Sequence, residues 1–543
     1  MSFHNQRQFQ RAVLLILAAA VVLCAMPADS LAQAANPSAF AFTFSGPVRG
    51  TVTSAGVREF LGIPYAAAPV GNLRWRPPVP HAPWFQPLDA THFANHCPQT
   101  PSPFGIASTT EDCLFLNVFT PHSNGRGIGE PRPVMVWIHG GALVTGESND
   151  YDPTAMVNDG VIVVTINYRL GILGFLAHPA FASEKTDPDH DGDLAPGSAG
   201  DYGLMDQQLA LRWVRDNIVF FGGDPLNVTI FGESAGGLSV FSQLASPSSA
   251  NLFQKAIIES GAYRQTTQTL ATAEAAGTAF ATAAGCSSQT AACLRAVPVS
   301  TILVNQNPAG YTPNLDGNFL PLSLGTALAT GQFHRVPIIQ GSNSDEWRLF
   351  TALDFDLTIG PIANNEPAYE AALASLVGPG APFVAAEYPL ASFPSADLAF
   401  ATAGTDVVFA CPAYGADLSM SQFVPLSTYE FNDENAPQDF LPPVTFPYGA
   451  AHASELQYLF NLPITVPRPP LNTQQLQLSS SMQHYWTNFA KSGTPNGSGQ
   501  PAWQQFNALE GNFQSLIPPS PVQETTFAAN HKCAFWAVLL AAQ

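Results

Sequence analysis

The stretch VTIFGESAGG (228–237) ends a run typical of a β-strand on a serine set between glycines. Residues 228–231 are apolar or β-branched, as expected for a buried strand, and the residues after Ser234 are small. Residues 232–236 match the Gly-x-Ser-x-Gly pattern, in which a sharp turn from strand to helix exposes a serine hydroxyl. The pattern therefore predicts that Ser234 is a nucleophile rather than an ordinary turn residue.

Similar apolar runs recur along the chain, separated by stretches typical of helices. They begin at Val134, Val161, Ala256 and Val336, and their nearly continuous apolar character indicates strands buried on both faces. Between two of these runs, residues 203–218 carry apolar side chains close to helical spacing. The alternation of strands and helices predicts an α/β fold with a mainly parallel sheet. No repeat or linker splits the chain, so we predict one catalytic domain over residues 35–543.

The composition excludes some classes of partner. The 543 residues carry a net charge of −20, and 11% of them are charged, whereas a typical soluble protein has about 25%. No basic run is long enough to hold a nucleic-acid backbone, so we predict no nucleic-acid partner. The acidity is interpreted as a source of solubility. We predict no cofactor, and the sequence does not decide the oligomeric state.

The N-terminus is typical of an export signal. Arg7 and Arg11 precede an apolar run over residues 12–26, and small residues follow it. Cleavage after Ala34 would make residues 1–34 a secretory signal peptide, so we predict a secreted or periplasmic protein. A lipoprotein would need a small residue where Leu23 stands. A membrane anchor is disfavoured because the run is shorter than the roughly 20 residues of a spanning helix.

Six of the 7 cysteines remain once Cys24 leaves with the signal. Six cysteines allow fifteen pairings, so sequence order alone does not choose among them. No zinc-like spacing of cysteine and histidine is present, which favours structural disulfides in an oxidising compartment over metal binding. The six residues are Cys97, Cys113, Cys286, Cys293, Cys411 and Cys533.

Several longer motifs carry a family resemblance. FGGDPLNVTIFGESAGG (221–237) and EDCLFLNVFTP (111–121) resemble the two signatures of the type-B carboxylesterase/lipase family, which includes cholinesterases and bacterial p-nitrobenzyl esterases. The similarity continues through residues 60–78, 166–179 and 251–262 and reaches 486–496, which spans most of the mature chain. The resemblance implies an α/β-hydrolase fold, with a large, mostly parallel central sheet flanked by helices.

The resemblance also implies a catalytic triad in the order serine, glutamate, histidine. After Ser234, the segment GSNSDEWRLF (341–350) resembles the family's acid segment and implies Glu346, with the adjacent Asp345 as the alternative. The segment AAHASELQYLF (450–460) resembles the histidine segment and implies His452. A serine hydroxyl needs such a base, and the base needs a carboxylate to orient it. The remaining downstream histidines are interpreted as surface or packing residues; they are His334, His484 and His531.

Supporting groups follow from the same resemblance. WIHGGAL (137–143) resembles the family's oxyanion loop, which implies that the N–H groups of Gly141, Ala142 and Ala235 bind the developing oxyanion. An ordinary turn at residues 139–141 is the alternative. Ser260 resembles the serine that hydrogen-bonds the catalytic acid, with a simple turn hydroxyl as the alternative. The implied disulfide pairs are Cys97–Cys113, Cys286–Cys293 and Cys411–Cys533.

Two segments depart from the family. The loop between Cys97 and Cys113 has no tryptophan to bind a quaternary ammonium group, so we do not expect choline esters as substrates. A second segment matches the first half of a calcium loop, but Ser198 stands where a bidentate glutamate would be required. A solvated acidic loop is favoured there over a structural calcium ion. The acidic residues concerned are Asp187, Asp189, Asp191 and Asp193.

Together these features predict a secreted serine carboxylesterase that hydrolyses small ester substrates through an acyl-enzyme intermediate, without a stable membrane anchor. The triad does not separate an esterase from a lipase or from a hydrolase of carbamates, amides or polyesters. Another class remains as an alternative, a non-catalytic adhesion module of the same family. The survival of serine, acid and base segments disfavours it.

Overall fold

A computed structural model describes residues 39–122, 130–182, 199–306, 312–463 and 465–541. The predicted signal peptide and the acidic segment around Asp187–Asp193 lie outside these ranges. Within them, no helix is long and apolar enough to cross a bilayer, and no group of three or more histidine, cysteine or carboxylate side chains could hold a metal ion.

Among the described residues, 13 strands form one central sheet, and two further short strands, β10 and β11, pair with each other. The fifteen strands in chain order are β1 Ala39–Phe42, β2 Pro47–Val52, β3 Val57–Pro64, β4 Leu88–Asp89, β5 Phe115–Pro121, β6 Arg132–Ile138, β7 Ile162–Ile166, β8 Gly223–Glu233, β9 Lys255–Glu259, β10 Gln268–Thr269, β11 Asn314–Leu315, β12 Ile338–Asn343, β13 Leu426–Phe431, β14 Phe513–Leu516 and β15 Val522–Glu524.

The strand order confirms the predicted fold class. The sheet runs β1-β2-β3-β5-β7-β6-β8-β9-β12-β13-β14-β15, with β4 beside β2. Every neighbouring pair from β7 to β14 is parallel, and the antiparallel pairs lie toward the two edges. Parallel neighbours need crossover connections, which the helices supply. This is the α/β-hydrolase architecture of a large, mostly parallel sheet flanked by helices.

The helices pack on both faces of this sheet or lie at its edges. They are Thr154–Asn158, Gly171–Phe175, Pro179–Ala182, Tyr202–Asn217, Ala235–Ala245, Leu270–Ala283, Ala291–Ala296, Val299–Asn305, Leu324–Thr330, Trp347–Thr351, Glu366–Val377, Ala381–Glu387, Ala396–Gly404, Cys411–Met420, Leu456–Leu459, Thr473–Ser492, Phe527–Asn530 and Cys533–Ala541. Two π-helical turns, Ala352–Asp356 and Thr405–Ala410, interrupt the helical region beyond β12.

Burial on both faces explains why the central strands are apolar throughout. In β8, Val228 and Ile230 pack into the core that contains the helices Tyr202–Asn217 and Ala235–Ala245. Phe231 points the other way, into the core beneath the helix Thr473–Ser492. Side chains alternate between the two faces along a strand, so both sets must be hydrophobic. The carboxyl end of β8 therefore emerges from a rigid core, and the next residue is Ser234.

Three disulfide bonds join Cys97 to Cys113, Cys286 to Cys293 and Cys411 to Cys533. These are the pairs that the resemblance implies. The first closes a loop beside β5, and the third attaches the helix Cys533–Ala541 to the helix Cys411–Met420.

Candidate active site

Ser234 occupies a strained turn between β8 and the helix Ala235–Ala245. Its φ and ψ are 56° and −122°, a region that residues other than glycine rarely adopt. Its N–H donates a 2.8 Å hydrogen bond to the Glu259 carbonyl at the end of β9. A Cβ atom on Gly236 would lie 1.9 Å from the Ile138 carbonyl oxygen, so this position requires glycine. The small residues of the motif therefore allow the turn to pack closely against β6.

His452 and Glu346 are in direct contact. The imidazole Nδ1 lies 2.5 Å from Glu346 Oε2, and both side chains are buried. The other carboxylate oxygen, Oε1, accepts hydrogen bonds from Ser260 Oγ at 2.5 Å and from the Asn343 N–H at 2.8 Å. Three contacts therefore fix the Glu346 carboxylate, and through Nδ1 this carboxylate orients the imidazole ring of His452.

Asp345, the alternative acid, points elsewhere. Its carboxylate forms an ion pair of 2.7 Å with Arg348 and accepts a 3.0 Å hydrogen bond from the Ala450 N–H. The structure thus places Glu346 beside His452, while Asp345 holds the loop that carries the histidine. Two adjacent carboxylates have separate surroundings because one enters the core and the other remains near its edge.

The second nitrogen of His452 faces the nucleophile turn. Its Nε2 lies 3.1 Å from Oε1 of Glu233, the residue directly before Ser234. This contact is not aligned as a hydrogen bond, and neither atom has a hydrogen-bond partner within the described ranges. Ser234 is the next residue along the chain, in the turn between β8 and the following helix. The Nε2 atom has no hydrogen-bond partner in the described part of the chain, so it retains its capacity to exchange a proton beside this turn.

Buried carboxyl groups dominate the electrostatics of the site. Burial disfavours the imidazolium form, but the Glu233 and Glu346 carboxylates outweigh this effect and raise the pKa of His452 above its ordinary value. Burial raises the pKa of Glu233, an effect that His452 opposes and the nearby Glu455 reinforces. Burial also raises the pKa of Glu455, to which Glu346 adds. His452 is thus a histidine with several buried acids around it.

The loop after β6 lies against Ser234. A Cβ atom on Gly140 would lie 3.1 Å from Ser234 Cβ, so the two backbones are close. Gly141 and Ala142 follow with φ values of 95° and 54°. The His139 carbonyl accepts a 2.7 Å hydrogen bond from the Tyr168 hydroxyl. Ala235, the third residue named for the oxyanion, is the first residue of its helix, where backbone N–H groups lack partners within the helix.

Two aromatic rings that the sequence analysis missed lie over His452. The ring centroids of Phe350 and Phe409 are 5.1 and 4.9 Å from the imidazole, and they stack on each other at 5.8 Å. Phe350 lies four residues after Glu346, and this helical spacing is a signal that could have identified it. Phe409 comes from the π-helical turn Thr405–Ala410 and has no comparable signal. Together the rings form an apolar wall on one side of the base.

Comparison with known proteins supplies the context for this geometry. The carboxylesterase family model matches residues 37–536. The chain is 36% identical over 475 residues to the para-nitrobenzyl esterase of Bacillus subtilis, covering 83% of this chain and 89% of the relative. It is 34% identical to the fumonisin B1 esterase of Sphingopyxis macrogoltabida, covering 88% and 86%.

Solved structures show the same relation. A thermophilic PNB esterase superimposes with a TM-score of 0.75 at 32% identity, covering 92% of this chain and 99% of that one. Another PNB esterase gives a TM-score of 0.74 at 32% identity, covering 91% and 99%. Agreement over this length of chain, together with the nucleophile turn and the histidine–glutamate pair, leads to one conclusion. The chain belongs to the carboxylesterase family and is a carboxylic ester hydrolase.

Proposed function

We propose that this esterase works through an acyl-enzyme intermediate, with Ser234 as nucleophile, His452 as general base and Glu346 as the carboxylate that orients the base. The observation that carries the proposal is the 2.5 Å contact between His452 Nδ1 and Glu346 Oε2, with Nε2 left open toward the residue pair Glu233–Ser234. A base held at one nitrogen and free at the other is the arrangement that activates a serine.

The proposed reaction has two halves. In the first, Ser234 Oγ attacks the ester carbonyl carbon while His452 Nε2 takes the hydroxyl proton. The tetrahedral intermediate collapses, the same proton passes to the leaving alcohol, and the acyl group stays on Ser234. In the second half, water attacks the acyl carbon, His452 accepts a proton from that water, and the proton returns to Ser234 as the carboxylic acid departs.

Backbone N–H groups would stabilise the oxyanion in both halves. We propose that these are the N–H groups of Gly141, Ala142 and Ala235. The close approach of the Gly140 backbone to Ser234, where an added Cβ atom would lie 3.1 Å from Ser234 Cβ, supports this assignment. So does the position of Ala235 at a helix N-terminus, where the helix dipole favours negative charge. Preorganised donors of this kind contribute much of the rate enhancement in acyl transfer.

Replacing the nucleophile tests the proposal. We expect Ser234→Ala to lower kcat for p-nitrophenyl butyrate by about 10⁴- to 10⁶-fold, as removal of a triad serine does, with an unchanged thermal unfolding midpoint. The matched control is Ser242→Ala, because Ser242 lies in the helix that follows Ser234 and its hydroxyl bonds only the Leu238 carbonyl within the described chain. Turnover by Ser234→Ala at the rate of the control would refute the assignment.

We also propose that residues 1–34 are a secretory signal and that residues 35–543 form one exported catalytic domain. The three disulfide bonds support export, because such bonds persist in oxidising compartments. The continuous 13-stranded sheet, whose strands run from residue 39 to residue 524, supports a single domain. N-terminal sequencing of the mature protein, which we expect to begin at Ala35, checks the cleavage site.

A further inference from the structure

Gln99 is a buried amide in the loop closed by the Cys97–Cys113 disulfide, and only 1% of it is exposed. Its backbone forms two hydrogen bonds of 3.0 Å with Ser108, so the loop folds back on itself. The proposed triad and oxyanion donors do not include this residue. A wholly buried amide in an otherwise irregular loop needs partners, and the identity of those partners suggests its role.

The side chain of Gln99 binds the end of the loop that follows β6. Its Oε1 accepts hydrogen bonds from Thr145 Oγ1 at 2.6 Å and from the Gly146 N–H at 2.8 Å. Its Nε2 donates to the Gly146 carbonyl at 3.1 Å and to the Cys97 carbonyl at 3.3 Å. A primary amide has two donors and two acceptor sites, so every one is used. Three of these four bonds reach Thr145 and Gly146.

Thr145 in turn holds the residues proposed to bind the oxyanion. The N–H groups of Val144 and Thr145 both donate 3.0 Å hydrogen bonds to the Gly141 carbonyl. Residues 141–143 have φ values of 95°, 54° and 61°, three left-handed residues in succession. Such a backbone persists only where its surroundings over-determine it. Gln99 restrains this backbone through its hydrogen bonds to Thr145 and Gly146. The Gly171 N–H restrains it independently, by a 2.6 Å hydrogen bond to the Leu143 carbonyl.

We propose that Gln99 is a positioning residue for the oxyanion loop, defined here as residues 140–146. The inference rests on the proposed function, because it assumes that Gly141 and Ala142 donate to the oxyanion. Through Thr145 and Gly146, Gln99 couples the disulfide loop to the site of charge development. Oxyanion donors stabilise the transition state because they are already oriented before the charge forms. Loss of the hydrogen bonds from Gln99 to Thr145 and Gly146 would therefore slow the chemical step more than it weakens substrate binding.

The test is Gln99→Leu, which retains the approximate shape of the side chain and removes all four of its hydrogen bonds. We expect kcat for p-nitrophenyl butyrate to fall about 10- to 100-fold, less than the loss of a whole donor, while KM stays within about twofold. A trifluoromethyl ketone, whose adduct with serine carries an oxyanion, should lose affinity by the same factor as kcat/KM. A thioether analogue that binds without forming an oxyanion should not.

Two further variants make the result decisive. Gln475→Leu is the matched control, because Gln475 is also buried and bonds Asp433, Asn435 and Asn472 outside the site. It should lower the unfolding midpoint and leave kcat unchanged. Thr145→Val removes the hydroxyl that donates to Gln99 and that also hydrogen-bonds Ser102 Oγ at 2.7 Å. It leaves the other three hydrogen bonds of Gln99 in place and should lower kcat about 3- to 10-fold. If Gln99→Leu does not fold, Thr145→Val decides the question.

The possible outcomes distinguish the positioning role of Gln99 from the Ser234 mechanism on which it rests. If Ser234→Ala remains active, the serine mechanism fails, and the inference fails with it. If Ser234→Ala is inactive but the folded Gln99 or Thr145 variant keeps both its kcat and its affinity for the trifluoromethyl ketone, only the role of Gln99 is overturned. A parallel loss of kcat and ketone affinity, absent in Gln475→Leu, supports it.

Discussion

Glu233 contacts His452 and directly precedes Ser234 in the chain. Its carboxylate lies 3.1 Å from His452 Nε2 while being only 3% exposed. A buried anion at this distance favours the protonated imidazole. In the proposed mechanism, Glu233 would therefore stabilise the imidazolium that forms when Ser234 attacks, and it would also oppose deprotonation of His452 in the resting enzyme.

The pH dependence of kcat/KM should show how strongly the carboxylates around His452 favour its protonated form. In the proposed mechanism His452 accepts the serine proton only as neutral imidazole. Its pKa is raised above 6.5 by the neighbouring carboxylates. We therefore expect kcat/KM to be lost as pH falls through an inflection above pH 6.5, whereas the sequence alone places that loss below roughly 6.5. Glu233→Gln removes one of the carboxylates that raise the pKa of His452, so it should move the inflection to lower pH.

The measurement is the pH dependence of kcat/KM for p-nitrophenyl butyrate in the wild-type enzyme and in Glu233→Gln. Glu370→Gln serves as the control, because Glu370 is exposed on the helix Glu366–Val377. An inflection that stays in place or moves up in Glu233→Gln would show that this carboxylate does not control the base.

At the scale of elements, the disulfides tie segments together over very different lengths of chain. Cys286 and Cys293 are separated by 7 residues, whereas Cys411 and Cys533 are separated by 122. The longer link fastens the C-terminal helix Cys533–Ala541 to the helix Cys411–Met420, which packs against β12 and β13. Cross-linking restricts the unfolded chain more when the closed loop is longer.

We therefore expect the two links to differ in their effect on stability. Replacing Cys411 and Cys533 by alanine should lower the free energy of unfolding by about 4–5 kcal/mol, against about 2 kcal/mol for the Cys286/Cys293 pair. Urea titrations of both double variants, followed by tryptophan fluorescence, measure the difference. Equal losses, or a larger loss from the short loop, would contradict the chain-entropy explanation.

At the scale of the whole molecule, His531 joins parts of the chain that are far apart in sequence. Its Nδ1 lies 2.5 Å from Asp406 and its Nε2 lies 2.5 Å from Glu430, residues 125 and 101 positions away. The Tyr388 hydroxyl donates to Asp406 at 2.6 Å, and Asn432 donates to Glu430 at 2.8 Å. His531 is therefore a buried packing residue, one of the two alternatives that the sequence left open, and it also forms ion pairs with both carboxylates.

This ion cluster should make stability depend on pH. Burial disfavours the imidazolium, but the hydrogen bonds to Asp406 and Glu430 prevail and raise the pKa of His531 to about 10. Glu524 lies close to Glu430, and burial together with Glu430 raises the pKa of Glu524 as well. Because the pKa is raised in the folded state, the contribution of His531 is fully present below about pH 6.5. It is lost as pH rises toward 10.

We expect His531→Gln to lower the free energy of unfolding by about 3–5 kcal/mol at neutral pH, since it leaves buried carboxylates without their counter-charge. The variant should also lose most of the decline in stability between pH 6.5 and 10. Thermal unfolding followed by circular dichroism across this range checks both effects. His484→Gln is the control, because the His484 side chain is 42% exposed. A variant profile that runs parallel to the wild-type profile would contradict the role of His531.

Local patterns were sufficient for the framework. The predicted helix over residues 203–218 is Tyr202–Asn217, and the apolar run from Val134 lies in β6. The strand-turn-helix at Ser234 follows from its own ten residues. The buried strand is followed by a serine with glycines two residues to either side, and these glycines permit the sharp turn that the pattern predicts. The choice between Asp345 and Glu346 had no local signal beyond the family resemblance.

The sequence by itself determined the central strands β6, β7, β8, β9 and β12, the turn at Ser234 and the family, because strand burial and tight turns are encoded within about ten neighbouring residues. Only the tertiary structure decided that Glu346 contacts His452 and that the Phe409 ring lies against His452. It alone also decided that Gln99 hydrogen-bonds Thr145 and that His531 pairs with two carboxylates. Each of these depends on side chains that are far apart along the chain, and the packing of the whole sheet sets the angstrom-scale distances between them.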